Sequence, residues 1–170
     1  MKRIRGFPAI SAPDAAILIL GSMPGRASLA AHEYYAQPHN AFWKIMSALL
    51  GFEASLPYPQ RCARLVANRI ALWDVLKSCT REGSLDSDIV DASIVTNDFR
   101  GFFRAHPRVQ AVFFNGAKSQ AVYRRHVLPK LSGAAAALPA ERLPSTSPAH
   151  ASLNFEAKLR AWREVLNWRP

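Results

Sequence analysis

Cysteine is scarce in this chain, and Cys62 and Cys79 are its only two. That scarcity excludes a four-thiolate zinc site and an iron–sulfur cluster, and with them the disulfide framework of a small stapled scaffold. Long apolar runs are missing as well: no stretch approaches the ~20 residues of a membrane span. There is no G-x-G-x-x-G or G-x-x-x-x-G-K-[ST] run, so the usual nucleotide-binding fingerprints are absent, and no segment repeats itself. Acidic residues are few, with 12 Asp and Glu against 22 Lys and Arg, for a formal net charge of +10. The basic residues are spread along the chain, and no long basic helix is paired with an exposed apolar face. A polyanionic partner follows, nucleic acid ahead of a membrane surface. Charge that serves only solubility is the alternative, and composition alone does not separate the two.

At 170 residues the chain is expected to form one domain, 1–170, large enough to bury roughly 70% of its unfolded surface without staples. Two thiols with no other oxidising signature point to a reducing cytoplasm. The basic Lys2, Arg3 and Arg5, the apolar run near Leu18 and the small residues Ser28-Leu29-Ala30 imitate a secretory leader. Pro13 and Asp14 interrupt it, however, and cleavage would remove the strand on which the next turn depends. The expectation is a cytoplasmic monomer with no membrane contact.

One stretch, Ile17 to Trp43, organises the rest. Ala15 to Leu20 is a continuous apolar run of strand length bounded by Asp14 and Gly21, as in a parallel strand buried on both faces. Gly21-Ser22-Met23-Pro24-Gly25 must turn sharply, the glycines being free to take positive φ and the proline fixing its own. The turn therefore lies at the carboxyl end of a parallel strand, where α/β sheets bind ligands. Tyr34, Tyr35 and Gln37-Pro38-His39-Asn40 follow, and then an apolar-periodic helix from Ala41 to Leu50 that ends at Gly51.

Elsewhere, residues 1 to 13 read as an irregular arm, interrupted by Pro8 and Pro13. Pro57 and Pro59 open a second helix that Asn68 closes, and Ile70 to Leu76 forms the second strand. Lys77 to Asp91 is polar and Gly-broken, a loop longer than most in a compact domain. Helix Thr96 to Ala105, capped by Thr96, turns Phe99, Phe102 and Phe103 to the core. Strand Val109 to Phe114 leads through Asn115-Gly116 to a helix over Ala117 to Val127. That turn is either an anion site assisted by Lys118 and Ser119 or an ordinary strand-to-helix connection. Ser132 to Ala140 reads as a variable loop, and Glu141 to Leu143 as a short strand. Ser145-Thr146-Ser147-Pro148-Ala149-His150 is a compact turn, and Leu153 to Asn167 a helix with Phe155, Leu159, Trp162, Val165 and Leu166 on its buried face. Strands alternating with helices predict an α/β class, specifically a three-layer α/β/α sandwich around a mostly parallel four-stranded sheet. The turns after its first, third and fourth strands should share one edge.

G-S-M-P-G at 21 to 25, Y-Y-A-Q-P-H-N-A-F-W at 34 to 43 and S-T-S-P-A-H at 145 to 150 resemble the uracil-DNA glycosylase superfamily, most closely its hypoxanthine-DNA glycosylase branch. W-D-V-L-x-x-C-x-R-x-G-S-L-D at 73 to 86 is similar to a run of that branch and implies a border of the base pocket. The resemblance implies a uracil-DNA glycosylase-like fold and a monofunctional hydrolase. Its substrate would be DNA carrying a deaminated base, hypoxanthine before uracil, and it would need no cofactor or metal. The two cysteines set the chain apart from the cluster-bearing branches.

Asn40 falls at the branch's catalytic asparagine; an amide cannot deprotonate water at neutral pH, so its role would be to hold the nucleophile. Asn40 is equally a good N-cap. Tyr35 falls where relatives stack a ring on the extruded base, with Tyr34 as fallback, unless the pair is half-buried core. Ser22, Met23, Gly25 and Asn115 would complete the base pocket, Asn115 either reading a base edge or bonding to its own turn. Lys118, Ser145, Ser147, Ala149 and His150 would meet the DNA. Two departures stand out: Met23 replaces an acid or amide that acts on water in other branches, and Ser145 replaces an imidazole. Ala149 is a poor wedge. No lysine lies within the motifs, so a lyase step is not expected. The competing expectation is a non-catalytic nucleic-acid-binding module that keeps the fold.

Overall fold

Alternation within the apolar strands decides how the layers stack. The computed structural model describes residues 2–168. In chain order its elements are β1 (Arg3–Arg5), β2 (Ile17–Gly21), α1 (Arg26–Ala31), α2 (Phe42–Leu50), α3 (Tyr58–Ala67), β3 (Ile70–Asp74), β4 (Leu76–Thr80), β5 (Val95–Thr96), α4 (Phe99–Ala105), β6 (Ala111–Asn115), α5 (Ala117–Val122), α6 (Gly133–Ala136), β7 (Ala140–Leu143) and α7 (Phe155–Trp162). Successive strand side chains face opposite ways. Leu18, Leu20, Ala71, Val112 and Phe114 therefore meet Phe99, Phe102 and Phe103 of α4 with Val122 and Tyr123 on one side. Ile17, Ile19, Ile70, Leu72, Ala111 and Phe113 meet Phe42, Trp43 and Met46 of α2, Leu65 of α3 and Trp162 of α7 on the other. Two cores separated by one sheet make the expected three-layer sandwich.

The sheet has the order β3-β2-β6-β7 and is parallel throughout, so all four strands present their carboxyl ends at one edge. In register, Gly21 lies beside Asp74 on one flank, and Leu20 beside Phe114 on the other. Asp74 and Asn115 thus end the two strands that border β2.

Several boundaries differ from the sequence reading. The amino-terminal arm is ordered: β1 pairs antiparallel with β4, and Ile10 bridges Leu72. The expected strand Ile70 to Leu76 is two strands, because the chain leaves the parallel sheet at Asp74 and enters a second, three-stranded sheet β1-β4-β5 as β4. That change of sheet consumes the first part of the expected 77–91 loop. Helix α4 starts at Phe99, capped by Asp98, whose carboxylate accepts from Gly101 N, and not at Thr96, which belongs to β5. A π-helical turn, Tyr123–Val127, continues α5. The stretch 132–140 contains the short α6, and β7 begins one residue earlier than expected. Helix α7 is capped by Asn154 and gives way to a 3-10 turn at Arg163. Phe155 is 38% exposed, whereas Lys158 is buried.

Candidate active site

Four loops leave the carboxyl edge of the parallel sheet and enclose a recess of about 850 Å³, within the range of about 300–1,000 Å³ usual for small-molecule sites. Its wall includes Gly21 to Gly25 after β2, Asp74 at the end of β3, Asn115 to Lys118 after β6, and Ser145 to His150 after β7. Tyr34, Tyr35 and Asn40 complete it from the segment before α2. Ser84 to Ser87, within the expected 77–91 loop, also reach the recess. Every residue expected at the site from sequence therefore lines one cavity, and Asp74 and Asp86 join them.

Glycine is required here by crowding. A Cβ on Gly21 would collide with both the Asp74 carboxylate and the Tyr35 hydroxyl, although Gly21 itself does not take positive φ. Gly25 likewise has an ordinary φ of −73°, so the positive-φ expectation for this turn is corrected at both positions. Gly116 does adopt φ 93°, and its missing side chain lets Ser145 approach closely enough that a Cβ would lie 3.1 Å from Ser145 Cβ. The loops after β6 and β7 are thereby held together.

The side chains divide by whether their hydrogen bonds are met. Asn115 Nδ2 donates to Thr146 Oγ1 at 2.9 Å, and its Oδ1 accepts from Thr146 N at 2.9 Å. Its amide ties two loops together. Ser119 donates to the carbonyls of Asn115 and Gly116, and Lys118 Nζ pairs with Asp91 Oδ1 at 2.8 Å. Ser145 and Ser147 accept from Ser147 N and Ala149 N and so shape their own turn. Ser22 donates to Asp86. Met23 is buried and packs into the core cluster beneath the sheet.

Asn40 precedes α2, whose N-cap is Ala41; its Oδ1 accepts from Phe42 N at 2.9 Å. The side chain is thus anchored at the helix start, with its NH2 making no hydrogen bond among the described residues. The two tyrosines have different environments. Tyr34 is buried, donates to the Pro8 carbonyl at 3.0 Å and packs edge-on against Phe7. Tyr35 is half-buried, takes φ 56° and stacks one ring face on Phe42 at 4.2 Å. Left-handed backbone at a non-glycine residue costs on the order of 1–3 kcal/mol, which the neighbouring packing must offset.

Among the described residues, four buried side-chain atoms lack a partner: Tyr35 Oη, Asp74 Oδ2, and Arg81 Nε and Nη1. Tyr35 and Asp74 line the recess, and the remaining nitrogen of Arg81, Nη2, donates to the carbonyl of Pro24, another lining residue. Burial pushes the Asp74 carboxyl up to about 7, with the Asp86 charge adding to the rise and Arg81 opposing it. Asp86 is raised by the same burial and held back by the Ser22 hydrogen bond and by Arg81. Burial, followed by the Asp74 charge, raises Tyr35 so far that it stays a neutral donor, against an opposing pull from the Asn115 side chain, with which its hydroxyl makes no hydrogen bond of good geometry. The cluster offers a polar ligand a neutral phenol and a carboxyl that changes charge near neutrality. Asp74 falls within the 73–86 run that the resemblance implies as a border of the pocket, but it is not singled out there as a site residue because the strand reading runs through it; its signal is the acid that closes an otherwise apolar run.

The uracil DNA glycosylase superfamily model matches residues 7–167. A hypoxanthine DNA glycosylase from Methanosarcina acetivorans is 40% identical over 139 residues, 76% of this chain and 87% of the relative. Another of that name, from Methanosarcina barkeri, is 40% identical over 116 residues, 68% of this chain and 72% of the relative. The solution NMR structure of a provisionally assigned uracil DNA glycosylase from Methanosarcina acetivorans superposes with a TM-score of 0.77 at 34% identity, covering 97% of this chain and 99% of that one. With a family match across almost its whole length and this fold around this recess, the chain belongs to the uracil DNA glycosylase superfamily.

Proposed function

We propose that this protein is a monofunctional DNA glycosylase that hydrolyses the N-glycosidic bond of deaminated bases, hypoxanthine before uracil, in base excision repair. The names of its two relatives support hypoxanthine, and the observation that carries the reading is the pair of unmet polar atoms, Asp74 Oδ2 and Tyr35 Oη, in the wall of a nucleoside-sized recess. Breaking the bond leaves cationic character on the sugar and negative charge on the departing base. A neutral carboxyl at Asp74 accepts from the ring N–H and donates to the neighbouring carbonyl oxygen, a donor–acceptor edge that hypoxanthine and uracil share. As the base takes up charge this contact strengthens, and an ionised carboxylate in its place would repel the leaving group. Tyr35, backed by Phe42, stacks on the extruded base; such stacking is worth ~1–3 kcal/mol. Asn40, anchored through Phe42 N, holds the water. Ser22, Met23, Gly25 and Asn115 shape the pocket, while Lys118, Ser145, Ser147, Ala149 and His150 lie toward the DNA, the protein acting as a monomer.

The test is a duplex carrying one hypoxanthine or one uracil. Wild-type protein should leave an alkali-labile site, faster with hypoxanthine, and Asn40→Ala should lower turnover about 100-fold. Tight binding without an alkali-labile product from either duplex would replace this reading with a non-catalytic binding module, which the loss of an acid at Met23 and of an imidazole at Ser145 favours.

A further inference from the structure

We propose that Leu85 is a rigid wedge that enters the base stack when the damaged nucleotide leaves it, an inference that rests on the glycosylase reading above. Leu85 is the most exposed of the large apolar side chains among the described residues, at 51%, and it alone of those exposed apolar residues lines the recess. A single exposed leucine on a surface ordinarily needs no explanation. This one differs in being clamped. Arg26 donates through its backbone N to Ser84 Oγ at 3.1 Å and through its guanidinium to the Glu82 carbonyl. Asp86 accepts from Ser22, and Leu85's own carbonyl accepts from Asp88 N at 3.1 Å. Four residues upstream, the buried Arg81 fastens the segment to Pro24. The residues on both sides of Leu85 are thus bonded to the segment that runs from β2 into α1, and about half of an apolar side chain is held in water.

Proteins that kink or open a duplex insert Phe, Leu, Ile, Met or Pro between base steps and so prevent the stack from closing. The Ser145 to His150 part of the wall offers only the methyl of Ala149 and the compact ring of Pro148 for that purpose, and its serines are engaged in their own turn. Leu85, on a separate loop of the same recess, is the larger branched side chain and supplies the missing volume. Its firm mounting suits the task, since a backbone already held by its neighbours loses little entropy on insertion.

A wedge matters where there is a stack to hold open, so the readout is the ratio of activities on one strand sequence presented in duplex and presented alone. Leu85→Ala should lower the duplex-to-single-strand ratio about ten-fold, and Leu85→Phe should restore it. A 2-aminopurine placed beside the hypoxanthine should brighten on binding wild-type protein and Leu85→Phe, and markedly less with Leu85→Ala. Equal losses on both substrates, or an unchanged ratio with unchanged 2-aminopurine fluorescence, would overturn the wedge while leaving the glycosylase reading in place. A wild-type protein inert on both substrates would instead remove the glycosylase reading, and the wedge with it.

Discussion

Asp74 and Asn115 sit at matching places, ending the two strands that flank β2 at the carboxyl edge of the sheet. Both are buried, at 3% and 8% exposure, and their side chains differ by one heavy atom's identity. Asn115 has a donor bond and an acceptor bond to Thr146; Asp74 leaves Oδ2 unmet and shifts its proton affinity instead. Burial of a polar group alone therefore does not mark a functional site, because a buried amide with both bonds made is a structural clamp. A buried acid without them, facing a cavity, keeps its bonding capacity for something that arrives later.

The largest expected effect is on the unmet member. The Asp74 proton is held more tightly in the folded protein than in the unfolded chain, from 3.8 up to about 7. Its contribution to stability is therefore fully present below about pH 4 and is lost as pH rises through about 7. Asp74→Asn should be more stable than wild type above pH 7, by an upper bound of about 4 kcal/mol, with the advantage shrinking to nothing toward pH 4. Urea titrations of both proteins at pH 4, 6 and 8 measure this. Activity should follow the same group: the wild-type rate on hypoxanthine DNA falls above pH 7, roughly ten-fold per unit once the carboxyl is ionised. The amide of Asp74→Asn offers one donor and one acceptor at every pH, so its profile should lack that limb. An identical limb in both proteins would assign the titration to another group.

Removing the clamp should have the opposite sign. Asn115→Ala leaves the buried Thr146 N–H and hydroxyl without their partner and should cost about 2 kcal/mol, lowering Tm by roughly 4–8 °C. Turnover should fall with it, since the loops after β6 and β7 lose their tie. If Asn115→Ala and Asp74→Ala both destabilised at pH 8, the distinction between clamp and ligand site would collapse.

The contrast also explains what the sequence could disclose. The mostly parallel four-stranded sheet and the location of the site at its carboxyl edge follow from short apolar runs and the turns that end them, and those signals are local, whereas the strand order β3-β2-β6-β7 is a property of the assembled sheet. The second sheet is not local: β1 pairs with β4 across more than seventy residues, between Arg3 and Thr80, and no periodicity in a three-residue strand announces it. The same change of sheet hid the place of Asp74 at a strand end inside a longer apparent strand. Asn115 and Lys118 were visible as residues at a turn, but whether an amide is engaged with Thr146 thirty-one positions away, or a lysine with Asp91, is a property of the assembled loops. Residue type located the wall of the recess, and only bonding separated its clamps from its unmet groups.

Lys118 gives the smallest and finest test of that separation. Its bond to Asp91 is made, yet Asp91 is mostly exposed, with 62% of its side chain in water, and hydrogen bonding to Lys118 lowers its proton affinity. Water and salt weaken such a pair, so a phosphate arriving at the rim can exchange with Asp91 where no ligand could exchange with Thr146 in the Asn115 clamp. Lys118→Ala should leave Tm within about 1 °C of wild type, because an exposed pair contributes little to folding. It should instead weaken duplex binding without regard to sequence and reduce the slope of log K against log salt by about 0.9, the value of one phosphate contact. An unchanged slope would mean that Lys118 keeps Asp91 in the complex, and a pair at the edge of the recess would then have to be counted with the clamps.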